Sequence, residues 1–171
     1  NLASIKRNDV HHGQEQFFLN FISKLLLSPQ IIKNRKFFIH LLGTLNKNKF
    51  ILNNNLEFKS QLIDTPLVFD NSGKLKSVSS FVDPNDDIYK EISFLLSPSK
   101  QKYTDSLLPE DYCDSVNILI FRALNLQSLH SPLTFLSVAK KIADTKNIQA
   151  ARLLTRFFIS NYEIFREHAN I

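Results

Sequence analysis

The stretch from Thr65 to Pro84, Thr-Pro-Leu-Val-Phe-Asp-Asn-Ser-Gly-Lys-Leu-Lys-Ser-Val-Ser-Ser-Phe-Val-Asp-Pro, constrains the fold of this chain more than any other. Leu67 to Phe69 and Leu75 to Val78 have the apolar and β-branched content of two short strands. Between them, Asp70-Asn71-Ser72-Gly73 supplies a turn that ends on the one residue type able to take a positive φ without strain. Gly13 and Gly43 lie elsewhere, so Gly73 is the only glycine placed to make that turn. A two-stranded hairpin alone is marginal in water. This one must lean on helices or join a larger sheet, and the remaining sequence is patterned for helices.

Apolar residues recur at helical spacing on both sides of the hairpin. A first helix is expected from about Gln14 to Leu27, with Phe18, Phe21, Ile22 and Leu25 on one face. Ser28-Pro29 reads as an N-cap followed by Pro at N1, opening a second helix that buries Ile31, Phe38, Leu42 and Leu45. An exposed connection from Asn46 to Asn55 follows, then a short helical piece from Leu56 to Ile63. After the hairpin, Asp83-Pro84 reads as the next helix start, with Asp83 as cap and Ile88, Ile92, Leu95 and Leu96 as the buried stripe. Ser97 to Ser106 reads as loop. Pro109-Glu110-Asp111 opens a helix whose Ile118, Phe121 and Leu124 face inward. Ser131-Pro132 opens another, with Leu133, Leu136, Ala139 and Ile142 on its apolar face. The last helix is expected from about Asn147 to Glu167, packing through Leu154, Phe158, Tyr162 and Phe165.

The fold class expected is therefore α+β and predominantly helical, about six helices with one embedded β-hairpin. Three parts are distinguished: a helical lead-in over 1–64, the hairpin and helix cap over 65–84, and a C-terminal helical part over 85–171. They read as one contiguous domain cut from a larger protein, since the chain begins at Asn1 and has no Met. The hairpin is expected to dock the N-terminal helix pair onto the C-terminal helices, with Gly73 and the Asp83-Pro84 cap setting the angle.

Hydrophobic residues at 43% and charged residues at 22% describe a globular chain with a real core. Fifteen Phe against no Trp, with abundant Asn, Lys and Ile, reads as the codon usage of an AT-rich genome. A net charge of +5 permits nucleic acid or an anionic surface as a partner, but the basic residues are scattered. The densest groups, Lys33/Arg35/Lys36 and Lys47/Lys49, suit a solvated helix face and a loop. Cys113 is the only cysteine, which excludes a disulfide framework and favours a reducing, cytoplasmic setting. No apolar run reaches the roughly 18 residues that span a membrane.

Chemistry is hard to find in this chain. His11 and His12 are adjacent, so on a helix they point about 100° apart and cannot share a metal. His40, His130 and His168 are single, without Cys or carboxylate at ligand spacing. Asp83, Asp86 and Asp87 suggest a cation site, yet Asp-Pro-Asn-Asp-Asp lacks the Gly and distal Glu of an EF-hand loop, and helix capping explains it better. No phosphate-binding glycine loop and no Gly-x-Ser-x-Gly elbow occurs. Cys113 reads as a small buried hydrophobe. The expectation is no catalytic, cofactor-binding or metal residue and no cofactor.

The elements in order resemble the repeat region of sacsin-type proteins, which are very large and chaperone-associated. Leu62-Ile63-Asp64-Thr65-Pro66-Leu67-Val68-Phe69 is similar to that family's leading-leucine, then Pro-Phe-Ile strand. Asn71-Ser72-Gly73-Lys74-Leu75 matches its turn, and Phe81-Val82-Asp83-Pro84 stands where it has Leu-Tyr/Phe-Asp-Pro. Ser106-Leu107-Leu108-Pro109, the helix Asp114 to Leu126, and the pair Leu133 to Ala143 and Ala150 to Asn161 resemble its later steps. Asn125 stands where the family often has Gly, and Phe135 is the aromatic nearest its Trp-type anchor. The resemblance implies a segment downstream of a heat-shock-type ATPase module that would lie outside this chain. It implies a structural or interaction segment involved in protein quality control, non-catalytic by itself. Its partners would be other modules of the same polypeptide, chaperones or client proteins. Two other classes stay open: a basic helical nucleic-acid-binding module, and a non-catalytic fragment of an enzyme.

Overall fold

A computed structural model describes residues 16–47 and 56–169. Among these are nine α-helices and one antiparallel hairpin. The helices are α1 (16–26), α2 (Arg35–Lys47), α3 (Leu56–Ile63), α4 (Asp87–Leu96), α5 (Lys100–Thr104), α6 (Ser115–Ala123), α7 (Pro132–Thr145), α8 (Ile148–Ser160) and α9 (Tyr162–Ala169). The strands are β1 (Pro66–Phe69) and β2 (Leu75–Ser77). The mostly helical architecture with an embedded hairpin is as expected, but nine helices replace about six. No described helix is long and apolar enough to cross a membrane.

The hairpin forms for the reason its sequence suggests. Gly73 N–H donates to Asp70 O at 3.1 Å, Gly73 takes φ +81°, and Asp70 N–H then pairs with Lys74 O at 2.9 Å. This is a β-turn followed by a left-handed residue, which carries the right-handed twist of the strands through the reversal. Asp70 reinforces it by accepting from Ser72 N–H, Ser72 Oγ and Lys74 N–H. A bulge between Pro66 and Val68 breaks the period-two alternation. Leu67, Val68 and Phe69 are consequently all buried, so helices cover both faces of β1.

Several helix starts lie later than expected because proline does not open those helices directly, and the added helices are α5 and α9. Pro29 begins a turn and a 3₁₀ segment (Ile31–Lys33), and α2 is capped later by Asn34, whose Oδ1 accepts Phe37 N–H at 3.1 Å. Pro109 likewise leads into a 3₁₀ turn (Glu110–Tyr112) before Asp114 caps α6. Asp83 is not the cap of α4; Asp86 is, accepting Tyr89 N–H at 3.0 Å. Only Ser131-Pro132 opens a helix with Pro in its first turn. The supposed loop from Ser97 to Ser106 contains α5, capped by Ser99. The expected last helix breaks at Asn161, whose amide Nδ2 donates to Phe157 O at 2.9 Å and competes with the helical ladder.

Three buried faces also differ from expectation. Phe21 of α1 points outward and stacks on Phe17, while Ile22 of the same expected face is buried. In α4, Ile88 is 36% exposed while Tyr89 is buried. In α7, Leu133 and Leu136 face solvent while Val138 and Ile142 are buried. The break at Asn161 lets Phe165 return against Phe135, their centroids 4.6 Å apart, and leaves Tyr162 half exposed.

The buried side chains fall into two clusters. The first gathers Ile22, Phe38, Leu62, β1, Phe81, Tyr112 and Phe121; the second gathers Val82, Tyr89, Ile92, Leu129, Val138 and Phe157. The hairpin belongs to the first, with Phe69 edge-on to Phe38 at 5.5 Å. There it packs between helices of the N-terminal part and Tyr112, Ile118 and Phe121 of the C-terminal part, with Phe69 N–H donating to Tyr112 Oη at 3.4 Å. The junction between the two clusters is made by residues 81–83.

Candidate functional site

Consecutive residues of an extended segment point to opposite faces. Phe81 therefore enters the first core while Val82 enters the second. Val82 pairs in parallel with Leu107 on one side and Gln127 on the other. Val82 N–H donates to Ser106 O at 2.9 Å, Asp83 N–H to Gln127 O at 2.8 Å, and Gln127 N–H to Phe81 O at 2.9 Å. This short ladder of three segments is the seam between the cores.

Side chains lock the seam. Buried Asp83 accepts from Asn85 N–H at 2.9 Å and from Arg122 Nε at 2.6 Å. The Asp83 carboxylate holds the Arg122 guanidinium above its ordinary range. Asp86, also buried, accepts from Ser128 Oγ and Leu129 N–H, both at 2.8 Å, besides capping α4. Tyr89 Oη donates to Gln127 Oε1 at 2.6 Å, and Gln127 Nε2 donates to Ser79 O at 2.6 Å. Burial, with Asp86 nearby, pushes the Tyr89 phenol up to about 12, so it remains a donor at neutral pH.

Beside the seam lies a groove of about 290 Å³. Val82, Leu96, Pro98 and Val138 supply its apolar surface. Tyr89 and Gln127, already clamped together, form part of one wall. Lys102 of α5 and Lys141 of α7 stand at the groove, both exposed, and no Asp or Glu lines it. Of the lining serines, Ser80 is hydrogen-bonded to Ser77, Ser97 donates to Ser99 O and Ser106 donates to Tyr103 O. Ser93 makes no side-chain hydrogen bond among the described residues.

The titratable residues singled out in the sequence do not converge. His11 and His12 lie outside the described residues. His40 is exposed on α2, His130 is exposed with its ring 5.0 Å from Phe157, and His168 falls in α9. Asp83, Asp86 and Asp87 turn to different partners; Asp87 is exposed and pairs with Lys90 at 2.6 Å. Among the described residues no group of three His, Cys, Asp or Glu could hold a metal. Cys113 is half-buried and its thiol donates to Pro109 O at 3.3 Å. Burial and the surrounding carboxylates raise its pKa, leaving little thiolate.

Sequence reasoning did not single out Arg122, Gln127 or the two groove lysines. Gln127 sits in a connection without periodicity, and its partners lie 38 and 48 residues away. No family model, no curated protein and no solved structure matches this chain.

Proposed function

We propose that this chain is a non-catalytic interaction segment of a larger protein, with neighbouring modules of the same polypeptide covering its outer helix faces. The observation that carries this reading is a set of exposed apolar pairs at helical spacing. Phe17 and Phe21 on α1, Val116 and Leu119 on α6, and Leu133 and Leu136 on α7 are 73%, 40%, 40%, 60%, 81% and 63% exposed. Residues three or four apart share one helix face. Each helix buries other residues, so each is apolar on two sides. Scattered single exposed apolar residues are normal on a surface, but paired ones on three helices favour contact with another module.

The ordered series of motifs that resembles sacsin-type repeat regions supports the same role and extends it to chaperone-associated quality control. The single cysteine, with no disulfide framework, supports a reducing cytoplasmic setting. The test uses the flanking segments of the same reading frame, produced separately. The wild-type chain should bind at least one of them, and L133E/L136E should lose that binding while melting at the wild-type temperature. Equal binding by the double variant, or a reading frame with no flanking segment, overturns the proposal.

A further inference from the structure

The groove beside the seam has hydrogen-bond donors without matching acceptors. Lys102 and Lys141 stand at it with no ion-pair partner among the described residues, and the Ser93 hydroxyl on its wall is likewise uncommitted. No carboxylate lines the groove to neutralise the ammonium groups. Below them, Leu96 and Val138 are almost fully buried at 9% and 5% exposure, and Val82 adds further apolar surface. A volume of about 290 Å³ matches the lower end of small-molecule sites and holds roughly ten waters.

We propose that the groove binds a small organic anion, its charged head between Lys102, Lys141 and Ser93 and its compact apolar body against Leu96 and Val138. The wall needs no rearrangement to receive it, because Tyr89 and Gln127 are held by each other and by Ser79. Lysine ammonium groups act as point charges and accept either a carboxylate or a phosphate head. The apolar surface explains why a bare ion would be a poorer fit than an ion carrying a hydrocarbon body.

The experiment is a titration of the full chain followed by amide chemical shifts, with hexanoate, phenyl phosphate, hexanol and inorganic phosphate as separate probes. Hexanoate or phenyl phosphate should give saturable shifts centred on Ser93, Leu96 and Val138, and their relative affinities identify the preferred head group. K102A and K141A should each weaken binding roughly tenfold, the effect of losing a charged hydrogen bond, and S93A should weaken it less. Both lysines are exposed, so these variants should keep the wild-type melting temperature. Absence of saturable shifts with both organic anions overturns the proposal. So does equal response to hexanol, equal response to inorganic phosphate, or unchanged affinity in K102A/K141A.

Discussion

At the scale of single residues, Asp70 shows how a hairpin tip becomes a rigid part of a core. It is 1% exposed, and its backbone and carboxylate together close the turn. Burial alone would raise its pKa, but the Lys76 ammonium, Lys74 N–H and the Ser72 hydroxyl outweigh burial and hold it at about 2. Lys76 Nζ lies 2.7 Å from Oδ2 as an ion pair. A carboxyl depressed from 3.8 to about 2 stabilises the fold fully above its unfolded value, and that stability is lost as pH falls through its folded value. Urea midpoints should therefore drop between pH 4 and pH 2 in the wild type, and Asp70→Asn should start lower and drop less. Equal slopes in the two proteins would show that Asp70 does not control this window. Gly73 is the second residue with a local requirement. A Cβ there would meet nothing within 4 Å, so any substitution is penalised by backbone conformation alone. Gly73→Val should lower stability by roughly 1–3 kcal/mol in equilibrium denaturation, with Gly73→Asn losing far less.

At the scale of elements, caps rather than prolines decide where helices begin. Proline removes a donor that a helix start does not need, but it does not supply the acceptor that Asn34, Asp86 and Asp114 provide. At the other end of α6, Asn125 takes φ +62°. Leu126 N–H donates to Phe121 O at 2.8 Å and Asn125 N–H to Arg122 O at 3.3 Å, the two bonds of a Schellman stop. Asn is the non-glycine residue best suited to that conformation, which accounts for its place in the chain. Asn125→Val should cost about 1–2 kcal/mol, while Asn125→Gly should stay near the wild type. Thermal melts of the two variants would check this, and equal loss in both would show that the side chain's own contacts matter more than φ. The stop also orients Leu126 into the first core and delivers Gln127 to the seam.

At the scale of the molecule, two hydrophobic clusters meet along one short ladder. Phe81 and Val82 are neighbours in sequence but belong to different cores, so neither cluster can loosen without straining the other's backbone. Phe38→Ala in the first core and Ile92→Ala in the second should each cost about 2–5 kcal/mol. Both should shift one common unfolding transition, read from tyrosine signals, since Tyr112 reports on the first cluster and Tyr89 on the second. Two resolved transitions in either variant would show that the clusters unfold independently.

The Gly73 turn of the hairpin and the dominance of helices could be read from the amino-acid sequence, because a tight turn and helical spacing depend on residues within about four positions of one another. The sequence also pointed to several inward residues, among them Phe38, Leu42, Ile92, Ile118 and Phe121. It misplaced Leu133 and Leu136, since a helix apolar on two sides does not declare which side is covered. Only the tertiary structure decided that Asp83 holds Arg122, 39 residues away, instead of capping α4. It alone brought Val82 between Leu107 and Gln127, and set Lys102 and Lys141 at one groove. Those pairings depend on how helices pack across the chain, which local periodicity does not encode.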